Sequence, residues 1–319
     1  MRTYLDFEKP VAELESQVAE LKSIQEGDNE VSVLEEIARL EEKAHNTLLE
    51  TYENLAPWQK TQVARHPDRP HFLDFVENLF TEFTPMAGDR MFAEDHALLG
   101  GIGRFRGRPV MVLGHEKGRT TESRIKHNFG MPRPEGYRKA VRMMRMADKF
   151  NMPVVTFVDT AGAYPGVGAE ERGQAEAIAR STDCCLSLRV PMITVVTGEG
   201  GSGGAIAIAS ANRVLMLEHA IYTVASPEAA ASILWHDSSR AEDAATNMKI
   251  TATDLKEFGI IDGIIPEPIG GAHRDPDKVI ERTGRAIGAA LADFQLLDGD
   301  KIRAHRHSKF LSIGKSLQS

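Results

Sequence analysis

Apolar residues recur at three- and four-residue spacing from Val11 through Leu14, Val18 and Leu21, and again from Leu34 through Ile37, Leu40 and Ala44. Residues so spaced share one face of a helix. With the Gly27-Asp28-Asn29 break between the runs, they predict a helical hairpin with acidic flanks over residues 1–65. Such a hairpin either docks a partner or packs on its own chain. A joint rich in proline and charge, Ala64 to His71, separates it from the segment 66–319.

Beyond the joint the period changes. Leu98–Phe105 and Pro109–Gly114 read as a strand hairpin around Arg106-Gly107-Arg108, and a basic loop and helix follow over Lys117–Lys149. Then come two strand–glycine loop–helix units. In the first, an apolar run ends near Asp159, a Gly/Pro loop covers Ala161 to Gly168, and a helix starts at about Glu170. In the second, a β-branched run ends at Thr197, five glycines follow (Gly198, Gly200, Gly201, Gly203, Gly204), and a helix starts at Ala205. Arg213–Leu217 and Ile221–Val224 read as short strands. Thr253–Ile265 reads as a helix, a stop at Gly259 and a strand. The chain is mostly helical from Pro276 and ends in a basic tail, Lys301 to Lys309, expected at the surface or in an interface. Alternating strands and helices predict an α/β fold. Parallel packing would bring both glycine loops to the carboxyl edge of the strands, where open α/β folds bind ligands.

Composition narrows the function classes. With 319 residues, 42% of them hydrophobic, the chain can bury a large core. A net charge of −8 argues against general nucleic-acid binding. There is no run of 18 apolar residues to cross a membrane and no apolar leader core near the N-terminus, so a cytoplasmic protein is expected. The two cysteines, Cys184 and Cys185, are neighbours and form neither a disulfide framework nor a metal site, so no metal is expected.

The glycine cluster fits three templates. Gly198-x-Gly200-x-x-Gly203, with Glu218 about twenty residues on, matches a dinucleotide fingerprint. Gly200-Gly201-Ser202-Gly203-Gly204 matches a nucleophile elbow, although no later histidine lies in a context that marks it as the base. The third template is an oxyanion cradle, in which backbone N–H groups at a helix N-terminus meet negative charge. The chain offers backbone dipoles more readily than side-chain acid–base groups. That suits a reaction whose barrier is a developing oxyanion, where one donor is worth about 10²–10³ in rate.

Several long motifs resemble a known family. DTAGAYPGVGAEERGQAEAIA, GEGGSGGAIAI, NFGMPRPEGYRKA, SPEAAASILW and IDGIIPEPIGGAHR, with LDFEKPVAEL and ARHPDRP, resemble the alpha subunit of the carboxyltransferase of bacterial multi-subunit acetyl-CoA carboxylase, over nearly the whole chain. The resemblance implies a crotonase-like (ClpP/crotonase) stack of β–β–α turns with an N-terminal helical extension. It implies transfer of a carboxyl group from carboxybiotin, on a biotin carboxyl carrier protein, to acetyl-CoA, giving malonyl-CoA for fatty acid synthesis. It implies two alpha and two beta subunits, with biotin carboxylase in the larger complex. The beta subunit would hold most of the CoA and a zinc ribbon, and this chain the biotin.

On the family pattern, the N–H groups of Gly203 and Gly204 hold the biotin oxyanion. The stretch Gly162, Ala163, Tyr164, Pro165 and Gly166 shapes the ureido pocket, together with Gly200, Gly201 and Ser202. Arg119, Lys126 and Arg138 are candidates for contacts with anions or an acidic partner. Two departures stand out: Ala161 where the family loop usually has proline, and His127 where it commonly has arginine. The rival readings are a single-chain crotonase-like acyl-CoA hydratase or decarboxylase, and a non-catalytic scaffold.

Overall fold

A computed structural model of the chain describes residues 2–25 and 31–315, so the break at Gly27–Asn29 and the last four residues lie outside it. Helices α1 (Lys9–Gln25) and α2 (Val31–Glu53) form the expected helix pair. Val18, Ile37 and Leu40 are buried between them with Leu14 and Leu21. At the base of the pair, Val11, Leu48, Tyr52 and Leu55 close over Val63 of α3 (Pro57–Ala64). The base is also tied to the rest of the chain. Arg274 donates to Glu15 at 2.8 Å and to Glu8 at 3.3 Å, and the Tyr52 ring meets His219 edge-on. The base of the pair thus packs on its own chain.

The joint is not a loose connector. His66, Arg69 and His71 within it are all buried. Its many charges and prolines suit a linker only while their partners, far away in sequence, are ignored.

After α4 (Phe72–Leu79) come β1 (Thr81–Pro85), β2 (Leu98–Phe105) and β3 (Arg108–His115). The strands β2 and β3 pair antiparallel in the predicted hairpin, and β1 is an edge strand that the apolar pattern does not reveal. The basic segment folds as α5 (Thr121–Lys126) and α6 (Pro134–Lys149). There follow β4 (Val154–Thr160), α7 (Val167–Glu171), α8 (Gln174–Ser187), β5 (Met192–Gly201), α9 (Ser202–Ala209), β6 (Arg213–Leu217) and β7 (Ile221–Thr223). The chain continues through α10 (Pro227–Trp235), α11 (Ala241–Asn247), α12 (Ala252–Glu257), β8 (Gly263–Ile265), α13 (Pro276–Ala292) and α14 (Gly299–Ser312).

The sheet runs β1-β2-β3-β4-β5-β6-β8, parallel from β3 onward. Helices α6, α8 and α9 pack side by side, with α9 against β4 and β5, while α13 lies against β5 and β8. Every residue of β4 and β5 is buried, which is why both read as continuous apolar runs rather than alternating ones. On the side away from β4, the long strand β5 serves two neighbours: Ile193–Val196 pair with β6, and Glu199–Gly201 pair with β7.

One expected boundary moves and one expected exposure is corrected. Pairing with β7 and with Thr160 holds Gly198–Gly201 in the strand, so α9 starts at Ser202 and not at Ala205. The basic tail is α14, and it is not all surface. Arg306 is wholly buried, donating to the Leu188 carbonyl at 2.7 Å and the Val190 carbonyl at 2.8 Å, and Lys309 pairs with Asp262.

Candidate active site

Both glycine segments do reach the same edge of the sheet, and there they touch. Thr160 ends β4, and its hydroxyl donates to the Gly162 carbonyl (2.8 Å) and accepts from the Gly162 N–H (3.1 Å). Gly162 itself has φ of +151°, a conformation that an L side chain rarely adopts. Farther along, the Tyr164 N–H donates to the Pro132 carbonyl at 2.9 Å, and the Gln174 amide holds the carbonyls of Pro132 and Tyr164, each at 2.9 Å. The Arg133 guanidinium lies 4.9 Å from the Tyr164 ring centroid. The loop with Ala161 in place of proline is thus held by hydrogen bonds and stacking.

The second segment packs on this loop. A Cβ on Gly201 would overlap the Ala161 carbonyl, and one on Gly204 would lie 2.7 Å from the Ala163 nitrogen and from the Gly162 carbonyl carbon. Those two glycines are required by close approach. Gly203 differs: a Cβ there would meet only Ile178 at 3.4 Å, and the residue is half-buried. Ser202 turns the chain from strand to helix with φ of +51°, a strained value for a non-glycine residue. The N–H groups at the start of α9 have no intrahelical partner. Gly203 presents its backbone to an apolar cleft of about 600 Å³ lined by Ser202, Ile206, Tyr222, Val224, Phe258 and Ile260.

A second cavity, of about 420 Å³, adjoins Ala161 and has charged residues in its wall, Arg65, Lys117, Arg124, Asp159 and Glu199. Here the structure holds a carboxylate pair that the sequence does not reveal. Lys117 Nζ lies 2.7 Å from Asp159 Oδ1 and 2.9 Å from Glu199 Oε2, and Arg65 Nε lies 2.7 Å from Glu199 Oε1. Burial alone would depress the lysine pKa, but the Asp159 and Glu199 carboxylates overcome it and push the value up to about 12. Burial would raise Glu199, and the Lys117 and Arg65 cations instead hold it at about 2. The signal available in the sequence is that each carboxylate stands at a strand end just before glycines.

Glu267 is also held at about 2. Burial opposes this, and Arg69 overcomes it. Carboxylates held below their ordinary 4.5 stabilise the fold above that value, and the contribution is lost as pH falls from about 4.5 to about 2. Buried His115 and His273, held neutral by burial down to about 3 and about 2, add an earlier loss, so urea midpoints should decline below about pH 6.5 and fall more steeply below about 4.5. A level profile down to about pH 3 would contradict the two assignments.

The other candidates lie elsewhere. Arg119 pairs with Asp74 of α4, Lys126 is exposed at the end of α5, and Arg138 donates to the Arg172 carbonyl beside α7. None of the three lines either cavity next to the glycine segments. His127 is buried, with Nδ1 2.6 Å from the His96 carbonyl. Cys184 and Cys185 are buried free thiols, and burial pushes Cys184 up to about 11. Among the described residues, no group of three or more His, Cys, Asp or Glu could hold a metal, and no helix is long and apolar enough to cross a membrane.

The geometry separates the three templates. Gly198 and Gly200 lie inside β5 rather than in the turn a dinucleotide fingerprint requires, and Glu218 is engaged by the Glu267 N–H at 2.9 Å. The strand–Ser202–helix turn has the shape of a nucleophile elbow, but among the described residues no histidine is hydrogen-bonded to the Ser202 hydroxyl; His115, which reaches the Gly204 backbone, is buried, and others bond elsewhere. His66 meets the Thr3 carbonyl, His127 the His96 carbonyl, His305 the Asn212 amide and His307 the Leu186 carbonyl. The backbone cradle is the template the arrangement fits.

Residues 4–314 match the family described as acetyl co-enzyme A carboxylase carboxyltransferase-like. The acetyl-coenzyme A carboxylase carboxyl transferase subunit alpha of Rhizobium meliloti is 65% identical over 317 residues, covering 99% of this chain and 100% of the relative. That of Nitrobacter winogradskyi is 68% identical, covering 99% and 98%. Among solved structures, a chain of transcarboxylase 12S aligns with TM-score 0.58 at 20% identity, over 73% of this chain and 44% of that one. A chain of a Pseudomonas malonate decarboxylase hetero-tetramer in complex with coenzyme A aligns with TM-score 0.55 at 19% identity, over 66% and 84%. At these identities the structural likeness speaks to the fold.

Proposed function

The chain belongs to the acetyl-CoA carboxylase carboxyltransferase family as an alpha subunit, and from that premise we propose that its two glycine segments form the biotin side of the transfer site. It is a carboxyltransferase subunit with a crotonase-like fold. The observation that carries the proposal is the abutment of Gly201 and Gly204 on Ala161–Ala163, which leaves the Gly203 backbone facing an open cleft. Room where a Cβ could stand, beside unpaired helix N–H groups, suits close approach by a ligand oxygen.

Carboxybiotin, when bound on its carrier protein, supplies the carboxyl group that acetyl-CoA receives. The chain's own part is electrostatic. The N–H groups of Gly203 and Gly204, reinforced by the α9 dipole, stabilise negative charge on the ring oxygen. Gly162–Gly166, fixed by Thr160, Gln174 and Arg133, belong to the loop packed on Gly201 and Gly204 and lie outside the wall of the Gly203 cleft; in this reading they meet the other side of the ring, with Gly200, Gly201 and Ser202 beside them. No side-chain base is called for: apart from Lys249, the cleft wall around Gly203 is made of apolar residues and hydroxyls.

In this reading, residues 1–65 are a helical extension and 66–319 the carboxyltransferase body. Two alpha chains assemble with two beta subunits, which hold most of the CoA. Biotin carboxyl carrier protein and biotin carboxylase complete the complex in the cytoplasm. Arg119 and Lys126 on the exposed α5 segment, and Arg138 behind it, are offered to acidic partner surfaces. Reverse transfer from malonyl-CoA to free biotin, followed as acetyl-CoA release, tests the assignment. Activity should appear only when this chain and a matching beta subunit are mixed. Turnover by this chain alone would overturn it in favour of a self-contained acyl-CoA enzyme.

A further inference from the structure

The ladder between β4 and β5 breaks just before the glycines. Val158 is opposite Val196, yet Thr160 is opposite Gly200, so β5 carries two extra residues over that interval. A bulge of this kind frees backbone groups and re-aims the strand. Side chains take up the freed groups. The Glu199 N–H donates to Asp159 Oδ1 at 2.9 Å, and the Thr197 carbonyl accepts from Arg69 Nη2 at 2.8 Å.

Asp159 is held in turn. Lys117 bridges its carboxylate to that of Glu199, and Arg65 links Glu199 to Glu228 of α10 at 2.7 and 2.5 Å. The lysine stem is confined too. A Cβ on Gly130 would lie 2.8 Å from Lys117 Cγ, and Gly130 closes a turn whose Asn128 and Phe129 both have positive φ. A Cβ on Gly198 would overlap the Asp159 carboxylate. The joint, Lys117 and Asp159, three separate stretches of chain, therefore converge on Thr197, Gly198 and Glu199 of β5, and Gly200 follows directly.

We infer that Lys117, joining Asp159 to Glu199 and seconded by Arg65, is a positioning residue that fixes the β5 bulge and thereby aims the Gly200–Gly204 backbone at its ligand. The inference rests on the reading of those glycines as the oxyanion cradle. Lys117 acts through the backbone it holds. Without it, two carboxylates face each other across the bulge, and their repulsion opens the segment that delivers Gly203. Arg65 gives the N-terminal extension a direct link to the site, in addition to any part it takes in assembly.

The test uses the full chain assembled with its beta subunit, comparing wild type with Lys117→Met, Lys117→Arg and Arg65→Met. In Lys117→Met, kcat for reverse transfer should fall at least about tenfold, part of what one oxyanion donor is worth, with the KM for malonyl-CoA little changed. Lys117→Arg should recover part of the loss. Amide hydrogen exchange should quicken over residues 197–205 while the rest of the sheet stays protected. Arg65→Met, at the more exposed end of the cluster, should give the same local exchange at smaller amplitude even if Lys117→Met does not fold. A folded Lys117→Met complex with wild-type kcat, or exchange in Arg65→Met that is unchanged or quickened evenly throughout, overturns the inference. Failure of the wild-type complex to transfer would count against the cradle reading instead.

Discussion

Gly203→Pro should cost about 10²–10³ in kcat for carboxyl transfer while the subunits still assemble. Proline deletes the N–H at this position, and its fixed φ is tolerated in the first turn of a helix. A Cβ on Gly203 meets only Ile178 at ordinary contact distance, and the proline Cδ would take the place of the N–H that this reading turns toward the cleft. Gly203→Ala keeps the N–H and is the control; it should lose far less. Gly204 is the poorer place for this experiment. Its Cβ would press into Ala163 and Gly162, so any substitution there mixes loss of a donor with separation of the two loops. Equal rates for Gly203→Pro and Gly203→Ala would remove the Gly203 N–H from the mechanism.

Arg69→Met should lower the stability of the chain by about 3–5 kcal/mol, the largest effect expected outside the cradle. Arg69 and Glu267 are both buried and meet through two bonds of 2.8 Å. The same guanidinium satisfies the Thr197 carbonyl beside the bulge. Its removal leaves an uncompensated carboxylate and an orphaned carbonyl together, and breaking a buried pair is costly for that reason. The Glu267 carboxylate keeps the N–H groups of His219 and Ala272, which places the loss within that range rather than above it. Urea denaturation reads the difference; a loss below about 1 kcal/mol would mean that the pair contributes little.

Where a signal is local, the sequence carries it. The β2–β3 hairpin, the buried run of β4 and the stop at Gly259 each depend on residues within a few positions of one another, and each is found where the pattern puts it. The site is legible in part for the same reason. Glycines at strand ends announce a cradle, and parallel pairing of β4 with β5 sets the two side by side.

What stays hidden depends on distant partners. Glycine has low strand preference, so nothing local tells that Gly198–Gly201 continue β5; the pairing with Tyr222 and Thr160 decides it. Asp159 and Glu199 look like unrelated surface acids until β4 and β5 are aligned, and Lys117 looks like one of many cations in a basic run. Arg306 reads as part of a solvated tail because the carbonyls it serves belong to the turn between α8 and β5. In each case the deciding energy is a buried polar group finding a partner far along the chain.

The most direct measurement is the structure of this chain assembled with its beta subunit and biotin. The account predicts the ureido oxygen about 2.7–3.1 Å from the Gly203 nitrogen, within reach of Gly204, and the ring against Gly162–Gly166. A biotin ring seated away from both glycine segments, with the Gly203 N–H facing solvent, would contradict it.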